Sequence, residues 1–192
     1  MYKVESDNHM RLFIAINFTP EVNKHLSKTI QELSKESIRG NFTRTSNLHL
    51  TVAFLGEVSS SRIPDIMKVL NQTVTLRESF DIEVGGLGKF INHGELLYWC
   101  GIRDNEALFK LQHTLIQSLK ENKFSVDDKP FSPHITLGRR CIMNSNFVEE
   151  DFAKKISPIF MKVTTVSLMK SEHKQGKLIY TSLGEVSLIN CI

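Results

Sequence analysis

The sequence predicts a fold of mixed helices and strands built twice over. Three observations carry this. Short apolar runs of strand length alternate with helical stripes, the second half repeats the order of the first, and no low-complexity tract or linker separates them. With 192 residues, 41% of them hydrophobic, the chain can bury a sizeable core, and residues 1–192 read as one compact domain with room for two lobes.

Leu12-Phe13-Ile14-Ala15-Ile16 is a continuous apolar run that reads as a buried strand. Thr19-Pro20 then offers an N-cap followed by a proline suited to the first helical position. Val22, Leu26, Ile30 and Leu33 form one stripe, predicting a helix to about Lys35. An extended piece around Phe42 to Thr45 leads into a strand from Leu48 to Leu55, which Gly56 is expected to end. Ile63, Ile66, Met67, Leu70 and Val74 predict a second helix. The alternation of Phe80 to Val84 marks a half-exposed strand, with Gly85, Gly86 and Gly88 as its terminators. The second half restarts with a strand from Leu96 to Ile102 and a helix on Leu108, Leu111, Leu115 and Leu119. A strand from Ile135 to Gly138 and a polar, helix-compatible stretch around Phe147 to Ile156 follow. Strands near Phe160 to Met169 and Leu178 to Leu188 flank the turn Lys174-Gln175-Gly176-Lys177.

An ungapped shift of 85 residues lays Leu12 on Leu97, Leu26 on Leu111 and Ile30 on Leu115, and it also lays His49 on His134 and Thr51 on Thr136. Two apolar patterns slide into register easily. Coinciding polar residues are harder to obtain that way. His49-Leu50-Thr51-Val52 and His134-Ile135-Thr136-Leu137 each put His and Thr two apart on a strand, hence on one face, with the apolar residues facing the core. A lone strand histidine is usually a satisfied structural group. A matched pair brings two imidazoles and two hydroxyls to one cleft, which suits displacement at phosphorus: one ring takes a proton from the attacking oxygen and the other gives one to the leaving oxygen. The hydroxyls can hold nonbridging oxygens as charge develops. Such chemistry calls for neither metal nor cofactor. His9, His25, His93, His113 and His173 have no such partner and read as ordinary surface or loop residues.

The charge balance, 24 Lys plus Arg against 21 Asp plus Glu for a net +3, permits an anionic ligand without demanding one. Cys100, Cys141 and Cys191 are odd in number and far apart, as idle thiols in a reducing compartment would be. The stretch around Glu5-Ser6-Asp7-Asn8 is unlike a secretory leader, and no segment approaches a membrane span, so a cytoplasmic monomer without membrane contact is expected.

The strings Arg11 to Ile16, Asn47-Leu48-His49-Leu50-Thr51-Val52-Ala53-Phe54-Leu55-Gly56-Glu57, Gly86 to Phe90, Phe131-Ser132-Pro133-His134-Ile135-Thr136-Leu137-Gly138-Arg139, the Ser171-Glu172 loop and Tyr180 cover almost the whole chain. They resemble the RNA 2′,3′-cyclic phosphodiesterase family, also called 2′-5′ RNA ligase-like, of the two-histidine phosphoesterase superfamily. The resemblance implies a bilobal α+β fold, two antiparallel sheets around a central cleft with helices outside. It also implies the opening of a terminal RNA cyclic phosphate to a 2′-phosphate, with His49 as proton donor, His134 as proton acceptor, and Thr51 and Thr136 on phosphate oxygens. Arg139 is either a phosphate contact or a solvated strand-end arginine. Phe42 either stacks a base or packs in the core. Ser132 stands where the family often has a basic residue. The implied partner is an RNA end or a small nucleotide bearing a cyclic phosphate. The rival readings are ligation in reverse, hydrolysis of 2′,5′-oligonucleotides or cyclic nucleotides in the same cleft, and a noncatalytic RNA-binding module. A purely structural partner protein would need an exposed apolar stripe or heptad, and the sequence has neither.

Overall fold

In a computed structural model of the chain, which describes residues 8–92, 94–127 and 129–190, the first apolar run becomes β1 (His9–Asn17). Leu12 to Ile16 are buried throughout because β1 lies inside its sheet, with one face on the core and the other under the cleft aromatics. Helix α1 (Pro20–Lys35) starts as its sequence dictates, the Thr19 hydroxyl accepting from the Val22 amide at 3.4 Å, and its stripe of Val22, Leu26, Ile30 and Leu33 is buried. The extended piece then comes earlier than expected, as β2 (Ser37–Phe42), and Thr45–Asn47 is a short 3₁₀ turn.

Two predicted strand ends are absent. β3 (His49–Ser59) runs through Gly56 and β4 (Phe80–Asn92) runs through Gly85, Gly86 and Gly88. Gly56 and Gly86 have φ of +70° and +71°, and each sits at a register shift. The left-handed backbone available to glycine bends these strands through bulges instead of ending them.

After α2 (Ile63–Val74) and β5 (Glu95–Ile102), helix α3 (Glu106–Glu121) is capped by the Asn105 side chain, which accepts from the Leu108 amide at 2.9 Å. β6 (His134–Met143) and the short α4 (Glu149–Lys154) follow. The single strand expected from Phe160 to Met169 is two, β7 (Ile159–Val163) and β8 (Thr165–Lys174), which part at Thr164 to join different sheets. β9 (Lys177–Ser187) closes the hairpin. Gln175 and Gly176, with φ of 51° and 72°, make the two-residue turn whose twist matches paired strands.

The strands form two antiparallel sheets, ordered β3-β1-β8-β9 and β2-β6-β5-β4-β7, so the architecture is the bilobal α+β one. The helices cross over. α1 follows β1 of the four-stranded sheet yet packs against β2, β6 and β7 of the other. α3 follows β5 of the five-stranded sheet yet packs against β3 and α2. Burying the apolar stripe of each half on the opposite half joins both sheets into one continuous apolar cluster. Four leucines on α3 have 0% exposure, and burial of each contributes roughly 1.5–3 kcal/mol.

The internal repeat is real but not ungapped. β3 and β6 correspond with a shift of 85, since His49 and His134 open them. Their neighbours differ by 84, because Ala15 pairs with Thr51 and Trp99 with Thr136. The correction matters because strand side chains alternate: Leu12 is a core residue, and a shift of 85 would equate it with Leu97, which lies on the other face.

Gly88 is where β4 passes over the Trp99 indole, and a Cβ there would collide with the ring. Gly88→Ala is therefore expected to cost about 1–3 kcal/mol through overpacking, read as a lower denaturant midpoint at unchanged m.

Candidate active site

His49 and His134 sit at equivalent positions on the two sheets. Each is followed by a residue with 0% exposure, Leu50 or Ile135, and then by a threonine on the histidine's own face. The rings are held alike. Nδ1 of His49 donates to the Asn47 carbonyl at 2.8 Å, and Nδ1 of His134 donates to the Ser132 carbonyl at 2.8 Å. A carbonyl only accepts, so the proton of each neutral ring belongs on Nδ1 and each Nε2 is left for chemistry. Nε2 of His49 lies 3.0 Å from the Thr51 hydroxyl. Asn47 is itself tied down, its side-chain amide donating to the Leu178 carbonyl at 3.0 Å. Because the backbone of Ser132 orients His134, the missing basic side chain leaves this arrangement intact.

The two rings have different surroundings. His49 is enclosed, its ring 4.8 Å from Phe13 and 5.0 Å, edge-on, from Tyr180. Burial holds its pKa below the ordinary histidine value. The Asn47 carbonyl opposes that shift, while the charges of Arg139 and His134 reinforce it. His134 lies edge-on to Phe90 at 5.1 Å with Trp99 behind at 6.3 Å, the indole occupying the position that Ala15 has in the other half.

A cleft of about 1170 Å³ runs between the sheets and is lined by all six residues singled out in the sequence: His49, Thr51, His134, Thr136, Arg139 and Phe42. Arg139, at the exposed side of β6, donates to the Thr136 hydroxyl at 3.3 Å, which attaches it to the motif. Phe42 packs against the edge of the core and borders the cleft as well. One side of the ring rests on Gly40 and Gly138, where an added Cβ would come within 3.0 and 2.9 Å of it, and the residue also lines the cleft.

Several cleft groups escaped sequence reasoning. Arg11, Phe13, Phe54 and Tyr180 all line it, and His9 and His173, read as ordinary surface residues, stand at its rim. Burial raises the Tyr180 phenol, against the pull of the Arg139 and Arg11 charges. Arg11 and Tyr180 were visible in the strings of the resemblance, but only strand pairing, Arg11 opposite Ser171 and Ser171 opposite Tyr180, puts them in one row. Five Lys or Arg line the cleft against Glu57 and Glu172, and Glu172 is held between Lys170 at 2.9 Å and Lys174 at 2.8 Å, which keep its carboxyl below the usual range. The modest excess of positive charge is thus gathered where an anion would bind.

Among the described residues, no group of three His, Cys, Asp or Glu side chains gathers that could hold a metal ion, and no helix is long and apolar enough to cross a membrane. Cys100 and Cys141 are buried free thiols, and burial pushes Cys100 up to about 12. His93 and Cys191 lie outside the described residues.

The sequence profile of the 2′-5′ RNA ligase superfamily matches residues 22–175, a span that includes both His-x-Thr motifs. The chain belongs to the 2′-5′ RNA ligase superfamily. Within that superfamily it is 37% identical over 131 residues to the RNA 2′,3′-cyclic phosphodiesterase of Thermotoga maritima, covering 68% of this chain and 70% of the relative. It is 27% identical over 178 residues to the protein of the same name from Methanothermobacter thermautotrophicus, covering 91% and 96%. Among solved structures, TT0787 of Thermus thermophilus superposes with a TM-score of 0.75 at 27% identity, covering 93% of this chain and 98% of that one. E. coli LigT complexed with 3′-AMP superposes with a TM-score of 0.78 at 24% identity, covering 94% and 99%, a likeness of fold. The superfamily fold and the bilobal α+β architecture of this chain are the same.

Proposed function

We propose that this chain is an RNA 2′,3′-cyclic phosphodiesterase, working as one bilobal domain that hydrolyses a terminal cyclic phosphate to a 2′-phosphate. The observation that carries the reading is the pair of histidines, each with Nδ1 held by a carbonyl two residues earlier, lining one positively charged cleft. Membership of the superfamily and the names of its relatives support it.

In the proposed reaction, Nε2 of His134 takes a proton from water as the water oxygen bonds to phosphorus. The bond from phosphorus to the ribose 3′ oxygen breaks, and that oxygen receives a proton from Nε2 of His49, leaving a 3′ hydroxyl and a 2′-phosphate. Thr51 and Thr136 donate to the nonbridging oxygens, and Arg139, bonded to Thr136, adds positive charge beside them. Phe42 offers its cleft side to the terminal base. A buried ring that disfavours charge is a poor acid in the empty site, so the donor role of His49 requires the phosphate anion to draw a proton onto it on binding.

The test is turnover of oligonucleotides ending in a 2′,3′-cyclic phosphate, with excess chelator present and the products separated. A 2′-phosphate product formed in chelator is expected. A 3′-phosphate product, or activity that returns only with one added divalent ion, would overturn the proposed chemistry.

A further inference from the structure

Phe54 ought not to face the cleft. Strict alternation from His49 and Thr51 would turn it into the core, but β3 skips Val52 and Leu55 in its pairing with β1, so His49, Thr51, Phe54 and Glu57 all line the cleft while Leu50, Val52, Leu55 and Val58 stay buried. The bulge at Val52 thus presents a large apolar ring, 39% exposed, on the cleft face, and the one at Leu55 keeps Glu57 beside it. The Arg11 guanidinium lies over it, 5.0 Å from the ring centroid, with Glu57 opposite Arg11 on β3 and no salt bridge closed between them. A cation stacked on an aromatic ring offers one surface to a base and one charge to its phosphate.

The position of the pair decides which nucleotide it would hold. Counted along β1, His49 lies opposite Asn17 and Phe54 opposite Phe13, four residues and roughly 13 Å apart at about 3.3 Å per residue, too far for the Phe54 ring to touch the phosphate between the histidines. A cyclic phosphate is bonded to one ribose alone, so the terminal nucleoside stays beside it. The cleft, at about 1170 Å³, also exceeds the roughly 300–1,000 Å³ of sites for single small ligands. We propose that Arg11 and Phe54 form a subsite for the nucleotide preceding the one that carries the cyclic phosphate, so that the cleft selects an RNA end over a free mononucleotide. This rests on the phosphodiesterase reading above.

The test compares kcat/KM for adenosine 2′,3′-cyclic phosphate with that for a diadenosine ending in the same group. The wild type is expected to favour the dinucleotide by about tenfold, the worth of one stacked base. Phe54→Ala should bring that ratio close to one, and Phe54→Trp should keep it. Arg11→Ala should lower the ratio and reduce the slope of log binding against log salt by about 0.7, one single-strand phosphate contact. Each ratio is taken on one preparation, so loss of folded protein cancels. A wild-type ratio near one, or a ratio unmoved in Phe54→Ala, overturns the subsite. Binding of 3′-phosphorylated adenosine and diadenosine, read by calorimetry, separates the two claims: a dinucleotide preference without turnover sinks the phosphodiesterase reading alone, and turnover without preference sinks the subsite alone.

Discussion

His49→Ala and His134→Ala are each expected to lower kcat/KM on an RNA 2′,3′-cyclic phosphate by about a hundredfold or more, because each removes one of the two proton transfers. The double variant should lose far less than the product of the single losses, since the groups act as a unit. Folding should survive. Both rings line an open cleft and neither holds the core together, so far-UV circular dichroism and the denaturation midpoint serve as the control. The direction of proton transfer is testable on the same proteins. With a nitrophenyl phosphodiester, whose leaving group departs without a proton, the deficit of His49→Ala should shrink while that of His134→Ala persists. The opposite pattern would make His134 the donor.

Thr51→Val and Thr136→Val should each lower kcat by about a hundredfold, the usual cost of removing one donor from a developing oxyanion. Valine keeps the β-branched shape and the strand preference, so the substitution removes little besides the hydroxyl. Thr51→Val also deprives His49 Nε2 of its 3.0 Å neighbour, and Thr136→Val releases Arg139. If KM rises while kcat holds, the threonines bind the ground state and take no part in the transition state.

Most of this fold is legible because the apolar code is strong where elements are buried on a face. The stripes of α1 and α3, the cap at Thr19 and the run beginning at Leu12 all become what the local sequence dictates. Failures cluster where backbone geometry overrides residue type. Glycine usually ends a strand, but in β3 and β4 it permits a bulge, and no one-dimensional pattern distinguishes the two. The break at Thr164 is set by two sheets competing for one apolar segment, a tertiary fact. The same limit applies at the site. The His-x-Thr pairs are local patterns and could be read directly, and Arg139 and Phe42 could be flagged beside them. Phe13, Tyr180 and Phe54 reach the cleft through strand order and bulges, so only the assembled sheet brings them there.

Paired histidine catalysis is most directly tested by kcat/KM measured from about pH 5 to 9 on a cyclic-phosphate dinucleotide. One imidazole must start charged and the other neutral, so the active enzyme carries one proton between them. Its population rises as the first proton leaves the pair and falls as the second does, which gives a bell. Because burial, Arg139 and His134 all push His49 down, the pair loses its first proton early, and the acidic limb should lie below the ordinary histidine value of about 6.5. Both limbs belong to the pair and not to a single ring. Removing either histidine should abolish the bell in the residual activity. A wild-type rate that only climbs with pH, as direct attack by hydroxide would, contradicts the mechanism.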